Sequence, residues 1–481
     1  MKRWLLWCAV WMAGLNLAAW TCHAEGQYAV LISQHTYGSP EWREVAEALR
    51  TKHHATILTY SNQVSSLLPE LRRLFPRYAC LVATPREVSR QFVAEVHRLM
   101  RRLDDDPYPD LFWGILTGYD ATNALRIARL REPLTIRKVA AGTAFATERV
   151  EEGVWYCELK AGRRVRKEPN GVAREFEGPA DTTEALVRTL TDYQADLFIT
   201  SGHATEREWQ IGYRYQNGFF RCEHGRLYGI DTAGRRLPIQ SPNPKVYLPV
   251  GNCLMGHIDG PDAMALAFLN SGGVCQMIGY TVPTWYGYAG WGVLDYFLEQ
   301  PGRYTLTEAV FANHVALIHR LAEFFPELAA REPEPGRVSR NPLAPGDKAA
   351  AAGLKAQDGA GLLHDRDVLA FYGDPAWEAR LAPQPCGFDQ QLTVLEDLFT
   401  FEVTPRRGAH SFDLADRNGS QRGGRPLVQF LPCRIGPAEV VEGAQLQPVI
   451  ADNFILVPRP QVSDNTPLRV VFRARRLATQ E

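Results

Sequence analysis

Short apolar segments alternate with longer amphipathic segments along most of this chain, and this alternation is the feature that most constrains its fold. The apolar runs predict buried β-strands over residues 28–33, 56–60, 79–83, 196–200, 246–250, 274–279 and 368–372. Between them, apolar residues recur at helical spacing over residues 41–50, 88–103, 121–130, 183–193, 261–269, 292–298 and 306–325. This order is typical of an α/β protein with a mainly parallel sheet flanked by helices.

Changes in composition divide the chain into parts. We predict a signal peptide over 1–24, an N-terminal α/β subdomain over 25–146, a surface β insertion over 147–180 and a second α/β subdomain over 181–384. Within the last of these, Pro, Ala and Gly dominate residues 331–361, which is typical of a flexible loop. Helical spacing ends near residue 385, and alternating runs after it predict an immunoglobulin-like β-sandwich over 385–481.

The N-terminus has the pattern of a secretory signal. Lys2 and Arg3 precede an apolar stretch over residues 4–20, and a small residue, Ala24, stands where cleavage is expected. An uncleaved membrane anchor is the alternative interpretation, since the apolar stretch is slightly long for a signal. The pattern predicts a bacterial protein that is exported to the periplasm or the extracellular space.

The charge balance restricts the classes of partner. The chain carries 53 Lys+Arg against 54 Asp+Glu, so its formal net charge is −1. This argues against a nucleic-acid partner, and no later apolar run is long enough to predict a membrane partner after signal cleavage. Of the 9 cysteines, all except Cys8 and Cys22 follow the predicted signal. Because the remaining number is odd, at least one thiol cannot pair within the chain.

Two reactive side chains come directly after predicted strands. His203 follows the strand at 196–200, and Cys253 follows the strand at 246–250. Ligands of open α/β sheets bind beyond the carboxyl ends of the strands. If the two strands are neighbours in the sheet, their carboxyl ends bring the imidazole of His203 and the thiol of Cys253 together. An imidazole can activate a thiol as a nucleophile, and backbone N–H groups at such turns can stabilise an oxyanion. The alternative interpretation is that both residues have no catalytic role and only pack against their neighbours.

The residues around these two positions extend the pattern. The histidine segment reads Gly202-His203-Ala204-Thr205-Glu206 with Trp209 shortly after it, and the cysteine segment reads PVGNCLMG over 249–256. Other motifs keep a fixed order along the chain: DPYPDL at 106–111, GGV at 272–274 and VLAFYGDP at 368–375. Together, and in this order, they resemble the gingipain-type cysteine peptidases, relatives of caspases and legumains.

The resemblance implies a caspase-like α/β fold followed by a β-sandwich, and a secreted cysteine endopeptidase. It implies Cys253 as nucleophile, His203 as general base, and the N–H groups of Cys253 and Ala204 as oxyanion donors. It also implies protein or peptide substrates, no cofactor and no catalytic metal; a structural calcium ion is left open.

Further roles follow from the same resemblance. Thr281, Trp285 and Tyr286 are expected to form a substrate pocket, with a packed aromatic cluster as the alternative. An acidic side chain is expected to orient the histidine, and Glu158, Glu206 or Glu148 could supply it; a solvated surface carboxylate is the alternative for each.

Two positions depart from the family pattern. Ala204 stands where the family has Gly, and Asn252 stands where it has Ala or Ser. A methyl group at 204 crowds the oxyanion site if the backbone there has a conformation that suits only Gly. These departures favour an alternative function, a catalytically weak or inactive peptidase-like scaffold that acts as an exported binding or structural protein.

Overall fold

The computed structural model describes residues 27–338, 342–415 and 424–477, so the predicted signal peptide lies outside the described residues. The first part of the chain alternates strands and helices, as the spacing predicted. Its strands are β1 (Tyr28–Ser33), β2 (Thr56–Tyr60), β3 (Tyr78–Val82) and β4 (Phe112–Leu116). Its helices are α1 (Gln34–Gly38), α2 (Pro40–His53), α3 (Leu68–Leu74), α4 (Arg90–Leu99) and α5 (Ala121–Arg129).

The middle of the chain adds strands to the same architecture. Its strands are β5 (Leu134–Ile136), β6 (Lys138–Ala141), β7 (Glu152–Tyr156), β8 (Arg163–Lys167), β9 (Arg174–Glu177), β10 (Leu197–Thr200), β11 (Glu208–Gln210), β12 (Phe219–Glu223), β13 (Arg226–Ile230), β14 (Arg236–Ile239), β15 (Lys245–Pro249), β16 (Val274–Tyr280), β17 (Leu369–Tyr372) and β18 (Ala379–Leu381). Its helices are α6 (Thr183–Thr191), α7 (Met264–Asn270), α8 (Tyr288–Phe297), α9 (Leu306–Phe324), α10 (Pro326–Ala329), α11 (Asp347–Ala351) and α12 (Ala356–Asp365).

One sheet joins the two predicted α/β subdomains. Its order is β2-β1-β3-β4-β17-β16-β15-β10-β6-β7-β8-β9. From β2 to β17 and again from β16 to β7 neighbouring strands are parallel, and β16 meets β17 as an antiparallel pair. The central strands are buried along their whole length, which explains their continuous apolar sequences. The mainly parallel α/β fold predicted from the sequence is therefore confirmed.

The predicted β insertion over 147–180 contains strands β7, β8 and β9. β7 pairs with β6, and the hairpin β8–β9 extends the main sheet at its edge, so this segment is continuous with the sheet. The loop predicted over 331–361 is partly wrong. α12 begins at Ala356 and has buried glycines at 359 and 361, where only a residue without a side chain fits against Phe325 and Tyr286.

A small antiparallel sheet was not predicted. It consists of β11, β12, β13 and β14 and lies between the strand that precedes His203 and the strand that precedes Cys253. Its strands are short and polar on one face, so they show no long apolar run. The sheet buries Trp209 and Phe220 against Phe198 of β10, and this packing attaches it to the main sheet.

The C-terminal part is a sandwich of two antiparallel sheets. They are built from β19 (Phe388–Leu395), β20 (Leu398–Pro405), β21 (Leu427–Phe430), β22 (Glu439–Glu442), β23 (Val449–Ile450), β24 (Phe454–Val457) and β25 (Leu468–Arg473). Their facing side chains form a second apolar core around Phe399, Phe401 and Phe472. The predicted β-sandwich is confirmed. Within the described residues, no helix combines the length and apolar character that a membrane span needs.

Candidate active site

His203 and Cys253 follow adjacent strands of the main sheet. β10 and β15 are parallel neighbours, and Thr200 at the end of β10 pairs with Pro249 at the end of β15. His203 lies three residues beyond the first of these partners and Cys253 four beyond the second. The two reactive residues therefore leave the sheet at the same edge, where ligands of α/β proteins bind.

The Cys253 thiol is half-buried and unpaired. Its Sγ accepts a hydrogen bond from the Thr284 backbone N–H at 3.1 Å, and the Thr284 hydroxyl donates to the carbonyl of Asn252, also at 3.1 Å. Leu254 has a φ of 58°, a left-handed conformation that a bulky residue rarely adopts. The turn that follows the thiol is thus sharp, and the donation from the Leu254 N–H to the Val282 carbonyl at 3.3 Å supports it.

The histidine loop and the cysteine loop each have a backbone N–H that is free to bind an anion. Among the described residues, neither the N–H of Cys253 nor that of Ala204 has a hydrogen-bond acceptor. Ala204 forms an isolated bridge with Trp209, but its hydrogen bonds run through the neighbouring residues. The left-handed conformation in this loop belongs to Gly202, with a φ of 96°, and not to Ala204. The expected conflict between an alanine methyl and a glycine-only conformation is therefore absent at 204.

The His203 imidazole is exposed and lies over an aromatic ring. Its centroid is 4.7 Å from that of Tyr213, and the two planes are tilted by 31°. Within the described part of the chain the imidazole nitrogens have no hydrogen-bond partner. The ring is therefore held on one face only, which leaves both nitrogens accessible.

Glu158 is the predicted acid that lies beside the histidine loop. Its backbone carbonyl accepts hydrogen bonds from the N–H groups of Tyr213 at 2.6 Å and Arg214 at 3.2 Å. Its carboxyl is buried, and Oε2 has no hydrogen-bond partner among the described residues. Oε2 lies 3.9 Å from the point that a Cβ atom at Gly202 would occupy. The carboxyl therefore lies next to the backbone that carries His203.

The environment of Glu158 keeps its carboxyl protonated more often than that of an ordinary glutamate. Burial raises the pKa of Glu158 from 4.5 to about 7, although hydrogen bonds from Thr143 and Ser201 act in the opposite direction. The other two acids have different surroundings. Glu148 is exposed, and the backbone carbonyl of Glu206 accepts from the N–H of Met264 at 2.8 Å.

The predicted substrate pocket is only partly supported by the positions of its residues. Thr281 is 1% exposed, and its hydroxyl donates to the Val368 carbonyl at 2.9 Å, so it cannot line a surface pocket and that prediction is wrong. Trp285 is 63% exposed and follows directly after Thr284, whose N–H contacts the thiol. Tyr286 is half-buried, with its ring centroid 5.6 Å from that of His364. Trp285 is thus the aromatic residue available to a ligand.

Two residues of the site were not singled out from the sequence as contributors. Thr284 donates its N–H to the sulfur of Cys253, and the interaction with Ser201 lowers the pKa of the Glu158 carboxyl against the effect of burial. Both follow strands of the main sheet, so the rule that indicated His203 and Cys253 could also have indicated them. Nothing in their residue types distinguishes them from other loop residues.

Among the residues that the structure describes, two clusters of side chains have spacing compatible with a metal ion. His97, His314 and Asp367 have ligand atoms within 4.8 Å of one another, but the Asp367 carboxylate already binds Arg101 at 2.6 Å and Arg366 at 3.1 Å. Three carboxylates, those of Asp104, Asp106 and Asp452, form the other cluster. Oxygen ligands are the kind that calcium prefers, and the structural calcium ion that the resemblance left open stays an open expectation.

Comparison with known proteins gives a distant structural likeness. No protein-family model and no curated protein matches the sequence. The crystal structure of the Arg-specific cysteine proteinase gingipain R is 10% identical, with a TM-score of 0.41, over 95% of this chain and 99% of that one. A complex of Porphyromonas gingivalis RgpB pro- and mature domains is 11% identical, with a TM-score of 0.42, over 94% of this chain and 100% of that one. At these values the likeness assigns no activity, and membership of the gingipain-type family stays a prediction.

Proposed function

We propose that the protein is a cysteine endopeptidase that hydrolyses peptide bonds through Cys253 and His203. The observation that carries this proposal is the placement of a free thiol and an accessible imidazole after two adjacent parallel strands. The unpartnered N–H groups of Cys253 and Ala204 support it, because acyl transfer needs donors for an oxyanion. The Arg207–Asp259 ion pair, 2.9 Å long, also connects the two loops.

The chemistry follows from these groups. His203 takes the proton of the Cys253 thiol as the sulfur attacks the scissile carbonyl carbon, and a tetrahedral intermediate forms. The N–H groups of Cys253 and Ala204 hold its oxyanion; one such donor is worth about 3–4 kcal/mol of transition-state stabilisation. His203 then protonates the leaving amine as the C–N bond breaks, which leaves a thioester. Water, deprotonated by His203, hydrolyses the thioester and regenerates the thiol.

Glu158 and Trp285 receive supporting roles in the proposal. The Glu158 carboxyl lies next to Gly202, and its backbone carbonyl accepts from the Tyr213 N–H, so Glu158 supports the chain on both sides of the imidazole. Trp285 offers an exposed aromatic face next to the thiol loop, and an extended peptide can pack against such a face. The substrates in this proposal are proteins or peptides, and no cofactor is required for the steps above.

Export belongs to the same proposal and rests on the N-terminal sequence alone. Residues 1–24 have the basic start, apolar middle and small exit residue of a signal peptide. N-terminal sequencing of the protein recovered from the periplasm or medium tests it: a first residue of Glu25 agrees with the proposal, and retention of Met1 contradicts it.

A cleavage assay tests the proposed activity. A peptide library incubated under reducing conditions is expected to be cut by the wild-type protein and not by Cys253→Ala or His203→Ala. His224→Ala is the matched control, because His224 is also an exposed loop histidine but lies in the β12–β13 hairpin. Cleavage by the Cys253→Ala variant, or silence of the wild type across the library, contradicts the proposal. Silence favours the alternative of a binding or structural scaffold.

A further inference from the structure

A buried amide joins the two loops of the proposed site. Asn252 is fully buried, and its Nδ2 donates to the carbonyl of Gly202 at 2.9 Å. Gly202 directly precedes His203, and Asn252 directly precedes Cys253. A single side-chain hydrogen bond therefore connects the residues next to the two reacting side chains.

The other end of the same amide is also fixed. Asn252 Oδ1 accepts from the Thr200 hydroxyl at 2.6 Å, and that hydroxyl lies 2.9 Å from the hydroxyl of Tyr247. These partners belong to β10 and β15, whose side chains at this point are completely buried. The amide is thus anchored to the main sheet through its oxygen, and its N–H holds the start of the histidine loop at Gly202.

The backbone of Asn252 extends the network to a third strand end. Its carbonyl accepts from the Thr284 hydroxyl at 3.1 Å, and the Thr284 N–H contacts the Cys253 sulfur at 3.1 Å. Thr284 follows β16, the next strand of the sheet after β15. The loops that carry the imidazole, the thiol and the exposed tryptophan are therefore all tied to one residue.

We infer that Asn252 is a positioning residue that sets the His203 loop relative to the Cys253 thiol. This inference rests on the proposed function and deepens it. An alanine or serine at 252 cannot reach the Gly202 carbonyl in this way, so the side chain that departs from the family pattern supplies a contact of its own. Because reacting groups must be held to within a fraction of an ångström, a displacement of about 1 Å can cost about a hundredfold in rate.

The test is the rate at which iodoacetamide alkylates Cys253, measured by mass spectrometry of the peptide that carries it. This readout needs no substrate and distinguishes Cys253 from the other thiols. At pH 6, where an isolated thiol is almost wholly protonated, we expect His203→Ala to be about a hundredfold slower than wild type. We expect Asn252→Ala to be about tenfold slower at pH 6 and close to wild type at pH 9.

Further variants separate positioning from general stability. Asn252→Ser also removes the amide that donates to the Gly202 carbonyl, and it is the second variant in case Asn252→Ala fails to fold; we expect from it the same loss of about tenfold at pH 6. The double variant His203→Ala/Asn252→Ala is expected to be no slower than His203→Ala alone, because Asn252 acts through the imidazole. Asn270→Ala is the matched control: the Asn270 amide donates to the Gly225 carbonyl at the same 2.9 Å but lies away from the site, and its profile is expected to equal wild type.

The outcomes distinguish this inference from the proposed function. Wild-type rates in folded Asn252→Ala or Asn252→Ser, together with a slow His203→Ala, overturn the positioning role and leave the dyad in place. Additive losses in the double variant also overturn it, since they show a role independent of His203. A wild-type rate in His203→Ala overturns the dyad and the positioning role together.

Discussion

Glu158 carries a carboxyl whose ionisation opposes folding. Burial raises its pKa from 4.5 to about 7, so the folded protein binds a proton there that the unfolded chain releases near pH 4.5. The stabilisation from that proton is complete below pH 4.5 and is lost as the pH rises through 7. Titration of this one group thus makes the free energy of unfolding depend on pH.

Replacement of Glu158 by Gln removes this titration. From the pKa values above, the free energy of unfolding of Glu158→Gln relative to wild type is expected to increase by about 2–3 kcal/mol between pH 5 and pH 8. Urea unfolding of both proteins at the two pH values measures it. A difference between the proteins that is the same at pH 5 and pH 8 contradicts the assignment.

Asp374 is a buried carboxylate that ionises easily. Burial opposes its charge, but the hydrogen bond from His53 and the charge of Lys52 hold the pKa of Asp374 well below its ordinary value. Lys52 Nζ and His53 Nε2 lie 2.8 and 2.7 Å from Asp374 Oδ2, and the Tyr28 hydroxyl donates to Oδ1 at 2.7 Å. This cluster joins the end of α2 to the segment after β17.

Asp374→Asn is expected to destabilise the protein by about 3–5 kcal/mol at pH 7, because it leaves the Lys52 charge buried without its partner. The carboxylate stabilises the fold above the unfolded-state pKa and loses that effect as the pH falls through its lowered folded-state pKa. The difference in the free energy of unfolding between wild type and Asp374→Asn is therefore expected to shrink below about pH 4. Urea unfolding of the two proteins at pH 7 and at pH 3 measures this difference. Glu44→Gln is the control. Glu44 lies on α2, the helix that carries Lys52, but its ion pair with Arg129 is exposed. Equal losses of stability in the two variants contradict the role given to the buried cluster.

Some residues of the site can be predicted from the sequence, and others cannot. His203 and Cys253 were indicated because both follow strongly apolar strands, and the rule for open sheets then sends them to one edge. Thr281 was misplaced, because the sequence does not show that its hydroxyl faces the start of β17. The partners of Asn252 lie about 50 residues away along the chain, so only the folded structure reveals them.

At the scale of elements, the cysteine loop lies against strand β16 with no space between the two backbones. A Cβ atom at Gly256 would lie 2.2 Å from the carbonyl oxygen of Gly279, and the carbonyl of Gly256 accepts from the Tyr372 hydroxyl at 2.6 Å. Backbone atoms cannot yield as a flexible side chain does. This close approach fixes how the loop leaves β15 and turns past Cys253.

Gly256→Ala is expected to lower the free energy of unfolding by about 1–3 kcal/mol, because the methyl group must displace one of the two backbones. The same variant is expected to slow alkylation of Cys253. Gly260→Ala is the control in the same loop: its nearest neighbour is the end of the Arg207 side chain at 3.5 Å, so the change is expected to be within about 0.5 kcal/mol. Urea unfolding measures both, and equal effects contradict the proposed close packing.

Elements with weak apolar periodicity were predicted incompletely. β9 lies in the β segment predicted over 147–180, but it is exposed at every residue and belongs to the main sheet only through backbone pairing with β8. α12 has a sequence rich in Ala and Gly, which indicates a loop, but its glycines permit close packing against Phe325 and Tyr286. In both cases contacts with distant segments decide the structure, and local sequence does not contain them.

At the scale of the whole molecule, the sandwich is attached to the α/β part by an apolar and polar interface. Phe454 packs edge-on against Tyr108 at 5.0 Å between centroids, and Phe430 packs against Phe112 at 4.8 Å. The Arg77 guanidinium donates to the Leu431 carbonyl at 2.9 Å, and the Tyr296 hydroxyl donates to the Pro426 carbonyl at 3.0 Å. Removal of either part exposes apolar surface of the other.

Phe454→Ala is expected to destabilise the protein by about 3–5 kcal/mol, because the ring is fully buried and touches both parts. Leu395→Ala is the control within the sandwich, since Leu395 is 70% exposed, and a change within about 0.5 kcal/mol is expected. Thermal unfolding with probes in both parts should show one shared transition that shifts as a whole. Separate transitions in the wild-type protein contradict this coupling.

The most direct test of the central claim is covalent capture of the nucleophile. A peptidyl acyloxymethyl ketone is incubated with the protein, and the modified residue is mapped by mass spectrometry. We predict a thioether on Cys253, none in Cys253→Ala, and a rate about a hundredfold lower in His203→Ala, while Cys222→Ala, which lacks another half-buried free thiol, labels as fast as wild type. Labelling that persists in Cys253→Ala, or an unchanged rate in His203→Ala, contradicts the assignment of a cysteine–histidine pair.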